Sequence, residues 1–217
     1  MLIRDIRELL KTTKPNETGN VELINVSFFA DEDYILRKPN KEYILRELEW
    51  YNSQSRYVQD IPGQTPKIWK QISAQINSPT PGLINSNYGW CIYNPDNYYQ
   101  YQSCLLQLKN DKHTRKAIMI YTRPSIQIDH NFNGMSDFIC TNNVQVFIRE
   151  NQLIYIVNQR SCDAVFGYPN DLAWHKHVYD NLLKDVQKLY PEVEPTMIEY
   201  ICGSLHVYPR HFNLLEK

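Results

Sequence analysis

The chain has 217 residues, with 23 Lys and Arg against 24 Asp and Glu and a formal net charge of −1. That length supports one sizeable core, and a single domain over residues 1–217 is expected. Scattered, balanced charge argues against direct nucleic-acid binding over an extended face, which needs clustered positive charge, but leaves room for a few arginines to hold a small anion.

Residues 1–11 carry apolar side chains at helical spacing between charges, which predicts a surface helix and neither a signal peptide nor a membrane span. Thr12 to Asn20 reads as a polar loop and Val21 to Ala30 as a strand. Glu42 to Asn52 places Ile44, Leu48 and Tyr51 at helical spacing, with Glu47 nearer this apolar face than Glu49. Pro62-Gly63 is a turn, after which Ile68 and Trp69 open a helix; a core role is the default for such a Trp. Asn94 to Gln102 caps and begins a helix that continues through Leu105 and Leu106, and 110–114 is a polar turn. Arg115 to Arg123, Val144 to Ile148 and Leu153 to Val157 read as strands apolar on both faces. Such strands need helices on one side and further cover on the other, which a partner's sheet would supply. After Leu153–Val157, polar residues 160–163 lead through a Gly/Pro turn into a helix that Asn170 or Asp171 can cap.

The five cysteines, Cys91, Cys104, Cys140, Cys162 and Cys202, include no Cys-x-x-Cys pair, and with the scattered His they show no zinc spacing. A reduced, intracellular chain without a metal is the simplest account, and most of these thiols are expected to be inert packing. The sixteen Tyr and four Trp are core first, although rings also stack on planar ligands.

Arg160-Ser161-Cys162-Asp163 followed by Gly167-Tyr168-Pro169-Asn170-Asp171 resembles the nucleotide- and folate-binding segment of the thymidylate synthase family. Asp171 stands where the synthases carry Asn, and Thr141 follows Cys140 where they usually have His; both narrow the likeness to the phage deoxycytidylate hydroxymethylases. Further matches run in order from about Val21 to His211. They are Arg46-Glu47-Leu48-Glu49-Trp50, Ile68-Trp69, Asn85 to Trp90 with Tyr88, Arg115-Lys116, Cys140, and Leu205-His206-Val207-Tyr208.

The resemblance implies an α+β fold with a mixed twisted sheet, covered by helices on one face and by a homodimer partner's sheet on the other. By it, Cys140 is the nucleophile, Glu47 and Tyr88 relay protons through water, and Arg160 and Ser161 bind the nucleotide. His206 and Tyr208 hold the sugar, and Arg115 and Lys116 serve the phosphate of the other subunit. Ile68, Trp69, Asp163 and Gly167 contact the folate. The cofactor implied is 5,10-methylenetetrahydrofolate. The chemistry suits a thiolate, which adds to carbon 6 of a pyrimidine so that carbon 5 can attack an electrophilic one-carbon unit. A carboxylate at 171 only accepts hydrogen bonds, which suits the amino group and protonated N3 of cytosine.

Departures from the family pattern are Glu17 before Thr18-Gly19, Lys116 in place of Arg, and a chain that stops at Lys217 where relatives fold a tail over the folate. The reaction expected is therefore folate-dependent 5-hydroxymethylation of deoxycytidylate in the cytoplasm of a host cell. Cytidylate hydroxymethylation, a synthase-like reaction on deoxyuridylate, and an impaired nucleotide-binding subunit stay open as alternatives.

Overall fold

Alternating apolar side chains and two-residue turns assemble one mixed sheet in the computed structural model, which describes residues 1–216. Its strands are β1 (Val21–Phe29), β2 (Ile118–Ile120), β3 (Thr141–Arg149), β4 (Gln152–Gln159), β5 (Cys162–Asp163), β6 (Glu194–Pro195) and β7 (Glu199–Val207). The order is β1-β7-β4-β3-β2, with β5 beside β7 and β6 beside β4. β3 and β4 form an antiparallel hairpin whose turn, Glu150 and Asn151, has both residues at positive φ (49° and 57°), the handedness that matches strand twist. β4 and β7 run parallel, so a crossover must join them, and the helix α7 (Gly167–Leu189) makes it.

Six more helices complete the fold: α1 (Ile3–Thr12), α2 (Lys41–Ser53), α3 (Lys67–Ile72), α4 (Tyr88–Tyr93), α5 (Gln100–Asn110) and α6 (Ile126–Asp129). Leu172, Trp174, His175, Val178, Leu182 and Val186 recur at helical spacing along the buried stripe of α7. The inward row of the sheet, Val144, Val146, Ile148, Leu153, Tyr155, Val157 and Tyr200, belongs to the same core.

Several expected elements shift. The strand read over Arg115–Arg123 keeps ladder pairing only at Ile118–Ile120, leaving Arg115 and Lys116 exposed outside it. A register shift at Thr141/Asn143 of β3 ends the pairing: the Tyr121 and Thr122 amides both turn to the Asn142 carbonyl, and Pro124 follows. The strands are fully buried on one face only. Opposite it, Phe147, Ile154, Ile156 and Ile201 are half-buried, and Ile24 and Ile120 are 69% and 48% exposed.

α2 is present, but its buried face is Glu47, Trp50 and Tyr51 rather than Ile44 and Leu48. The helix expected from Asn94 begins only at Gln100, because Tyr98 and Tyr99 both adopt left-handed φ (61° and 47°). Neither Asn170 nor Asp171 caps α7, which starts at Gly167; Pro169 fits in its first turn, where no amide donor is needed. Asp171 is thereby swung onto the inner side of the helix.

Candidate active site

The start of β3 and the end of β4 lie side by side, which brings Cys140 and Arg160 together. The Arg160 amide donates to the Cys140 carbonyl at 2.9 Å, and guanidinium Nη2 lies 3.7 Å from Sγ. That guanidinium also donates to the carbonyls of Phe138 (2.6 Å) and Ile139 (3.0 Å) and lies over the Phe138 ring at 4.6 Å. Three constraints thus hold an exposed cation against the sulfur. Gly203 allows the close packing beneath it, since a Cβ there would meet the Arg160 carbonyl oxygen at 2.9 Å. Of the five cysteines, only Cys140 is less than fully buried.

Burial nevertheless wins at the sulfur. It pushes the Cys140 thiol up to about 12; Asp171 adds to the rise and Arg160 opposes it. Desolvation in the free protein thus outweighs the single guanidinium beside the sulfur.

Asp171 Oδ2 accepts from Gln159 Nε2 at 2.7 Å, and among the described residues no protein donor reaches Oδ1. Burial raises this carboxyl to about 7, opposed by the Gln159 bond and reinforced by Glu47 and Asp163. Surface access to Asp171 is partial even though protein surrounds it.

Glu47, 5% exposed, enters from α2. Its Oε1 accepts from the Tyr43 hydroxyl and from Trp69 Nε1 (3.3 Å), and the indole also donates to Tyr43 at 2.8 Å. Burial lifts Glu47 to about 7 against the pull of both hydrogen bonds. Trp69 is therefore a half-buried support for Glu47, while its neighbour Ile68 is 56% exposed.

Tyr88 begins α4, and its phenol accepts from Thr141 Oγ1 at 3.1 Å. The preceding segment is pinned by Asp137, whose carboxylate accepts from the amides of Asn85 (2.6 Å) and Ser86 (2.8 Å) and from Ser86 Oγ (2.6 Å). Asp137 thus ties the Tyr88 loop to the Cys140 loop. Gly89 lets α4 touch α2, because a Cβ would sit 1.7 Å from the Tyr51 carbonyl oxygen.

His206, in β7, lies under Tyr208 with ring centroids 4.8 Å apart, and burial lowers its pKa. Asp163 is paired in register with His206 and caps its own loop by accepting from the Val165 amide at 2.8 Å. Gly167 opens α7 with its missing Cβ 3.2 Å from Asp163 Cβ. A thiol beside a cation, together with two carboxyls near 7, provides a nucleophile and groups that give and take protons at neutral pH.

The sequence model described as thymidylate synthase matches residues 34–217. The chain belongs to the thymidylate synthase family. The deoxycytidylate 5-hydroxymethyltransferase of Enterobacteria phage T6 is 51% identical over 205 residues, covering 93% of this chain and 81% of the relative. The enzyme of the same name from phage T4 is 50% identical over the same shares. A thymidylate synthase from Francisella tularensis subsp. holarctica is 20% identical over 178 residues, 77% of this chain and 61% of that protein.

Of the residues singled out in this family member by sequence, Cys140, Arg160, Asp171, Glu47 and Tyr88 come together, with Ser161, Asp163, His206 and Tyr208 on the adjoining β4–β5 and β7 segments. Arg115 and Lys116 stay exposed, and among the described residues neither side chain has a hydrogen-bond or ion-pair partner. Sequence reasoning missed Tyr43, Gln159 and Asp137. It also missed Arg37, whose guanidinium covers the exposed Phe166 ring at 4.6 Å. Tyr43 was detectable as the residue one helical turn before Glu47; Gln159 and Asp137 gave no signal, because only the folded chain shows what they face. Among the described residues no group of three or more His, Cys, Asp or Glu is placed to hold a metal ion, and no helix is long and apolar enough to cross a membrane.

Proposed function

We propose that the chain, acting as one domain over residues 1–217, is a deoxycytidylate 5-hydroxymethyltransferase. It converts deoxycytidylate, 5,10-methylenetetrahydrofolate and water to 5-hydroxymethyldeoxycytidylate and tetrahydrofolate. The observation that carries this reading is Asp171: one carboxyl oxygen is held by Gln159, the other meets no protein donor among the described residues, and the carboxyl lies close enough to Cys140 to raise its thiol. The relatives named for this activity support it at 50% and 51% identity.

A carboxyl near 7 can give its proton to N3 of cytosine and then, as a carboxylate, accept from N3–H and the amino group together. Protonated N3 draws electrons from carbon 6. Cys140 Sγ then bonds to carbon 6 while the carbon 5–carbon 6 π pair moves to carbon 5, making carbon 5 nucleophilic. The thiol gives its proton to solvent as the nucleotide binds, with Arg160 beside the sulfur and available to the phosphate. Glu47, near 7, is the acceptor for the proton that leaves carbon 5. Water adds to the exocyclic methylene that remains on the base, and Sγ departs as the carbon 5–carbon 6 double bond returns.

The folate supplies the electrophilic one-carbon unit when bound. The residues present fit it: Ile68 and Phe166 (56% and 40% exposed) and the half-buried Trp69 offer apolar surface, and Arg37 over Phe166 matches a carboxylate tail. Gly167 follows Phe166 at the start of α7 and packs on Asp163.

The half-exposed apolar face of the sheet and the unengaged Arg115 and Lys116 support a homodimer in which these cations reach the partner's phosphate. Free nucleotide and reduced folate as substrates support a reaction in the cytoplasm of a host cell. The test is incubation with the folate and deoxycytidylate, cytidylate or deoxyuridylate, with products read by mass. Hydroxymethylated deoxycytidylate as the main product is expected; a product from deoxyuridylate alone would overturn the reading.

A further inference from the structure

The polar loop 12–20, where Glu17 breaks the family pattern, takes no part in the chemistry of the base. It folds around Asn16. The Asn16 amide donates to the Asn20 carbonyl and the Gly19 amide to the Asn16 carbonyl, both at 2.9 Å, and Gly19 makes the turn at a φ of 83°. Asn16 Oδ1 accepts from the amides of Thr18 (3.0 Å) and Asn20 (3.2 Å) and from the Thr18 hydroxyl (2.7 Å). Backbone amides can only donate, so this end of the side chain is the oxygen and the other is the NH2 group.

That NH2 group donates to Glu22 Oε2 at 2.6 Å. Glu22 lies in β1 directly opposite His206 of β7, and Ser204 stands two residues before His206 on the same face. The Ser204 hydroxyl donates to Glu22 Oε1. Its one proton is thereby committed, and toward His206 Nδ1, 3.4 Å away, its oxygen can only accept. Giving that proton to the imidazole instead would set the hydroxyl lone pairs against the Glu22 carboxylate. The Ser204 amide donates to the Arg160 carbonyl at 3.1 Å, which fixes this part of β7 against the segment that carries the Cys140 cation.

Burial holds the His206 pKa below its ordinary value, so at neutral pH the ring carries a single proton. The relay places it on Nδ1. Nε2 is then a bare acceptor that meets no protein donor among the described residues. We propose that Glu22 is a positioning residue for the sugar site: acting through Ser204, it fixes the His206 proton on Nδ1, so that Nε2 accepts from the free sugar hydroxyl of the nucleotide. Deoxycytidylate has one such hydroxyl, at the 3′ carbon. A nucleotide whose 3′ oxygen is esterified, as within a polynucleotide, has no proton to give there, so the site takes the free nucleotide. This inference rests on the hydroxymethyltransferase reading for its kinetic consequence and on the folded chain alone for the tautomer.

The test has two arms. In protein labelled with nitrogen-15 histidine, the imidazole assigned by its loss in His206→Gln should show a protonated Nδ1 and a bare Nε2 at about pH 8. In Glu22→Gln the amide oxygen stays on the Asn16 NH2 group and the new NH2 group turns to Ser204, whose proton then goes to Nδ1; the imidazole proton should move to Nε2. A wild-type proton on Nε2, or a Glu22→Gln protein that keeps it on Nδ1, would overturn the proposal. In the kinetic arm, Glu22→Gln should raise KM for deoxycytidylate about 10-fold while kcat stays within roughly threefold. Ser204→Thr, which keeps the hydroxyl, should match wild type within about threefold in both. With wild type, 2′,3′-dideoxycytidylate should lose about 10-fold in kcat/KM against deoxycytidylate. With Glu22→Gln that penalty should shrink to about threefold or less. An equal penalty in the two proteins would also overturn it, since a merely structural lesion leaves the ratio alone. If Glu22→Gln does not fold, the wild-type spectrum decides, with the resonance assigned through its contact to the Tyr208 ring. A wild-type protein that makes no hydroxymethylated product defeats the functional reading and leaves the tautomer result standing.

Discussion

Cys140 and Asp171 show how burial and partners compete at single residues. The thiol is held up by desolvation and by Asp171 while Arg160 draws it down, so the free protein keeps it protonated. Its role is bond formation rather than affinity, and Cys140→Ser should lose turnover while binding deoxycytidylate within a few-fold of wild type. Equilibrium binding and product assays on the same preparation check this. Asp171→Asn presents an amide donor, or a weaker acceptor, to the donors of cytosine. A buried mismatch of about 1–3 kcal/mol corresponds to roughly 10–100-fold in specificity. The ratio of kcat/KM for deoxycytidylate to that for deoxyuridylate should fall by that factor in the variant. An unchanged ratio would remove Asp171 from base selection.

At the scale of elements, α2 and α7 each deliver a carboxyl to one cleft, and neither side chain was easy to place from spacing. Ile44, Leu48 and Tyr51 suggested one face for α2, but the buried face is Glu47, Trp50 and Tyr51, because Tyr43 and Trp69 satisfy the carboxyl and let it turn inward. The strands β1, β3 and β4 and the helices α1 and α2 were legible because their apolar residues come in short runs or recur at helical spacing. β2 was overread, since an edge strand stops where its neighbour bulges, and that lies elsewhere in the chain. Cys140, Arg160 and Asp171 were legible through motif order. Gln159 and Glu22 were not, because a strand-end Gln and a strand Glu announce nothing until their partners fold against them.

The buried Glu47 also makes a stability prediction. Its folded pKa of about 7 lies above the unfolded value near 4.5, the reverse of a salt-bridged carboxylate. Between these values the native state keeps a proton that the unfolded state has released, so its contribution falls as pH rises through that window and is flat above it. The full effect is at most about 3 kcal/mol. Glu47→Gln should therefore gain stability relative to wild type between about pH 5 and pH 8. Parallel urea titrations at the two pH values check the sign; a constant difference would mean that Glu47 is ionised in the fold.

For the whole molecule, a sheet buried on one face and half-open on the other goes with two exposed cations, Arg115 and Lys116, whose side chains meet no partner among the described residues. Mixing Arg115→Ala chains with Cys140→Ser chains should restore part of the activity, because a hybrid dimer holds one site with neither lesion. A fully active monomer in sedimentation would contradict this assembly. The measurement that bears most directly on the account is the reaction of the wild-type protein with deoxycytidylate and 5,10-methylenetetrahydrofolate in oxygen-18 water. The account predicts 5-hydroxymethyldeoxycytidylate carrying the label in its new hydroxyl group, with tetrahydrofolate formed in equal amount. A methylated nucleotide accompanied by dihydrofolate, or no product from deoxycytidylate, would contradict it.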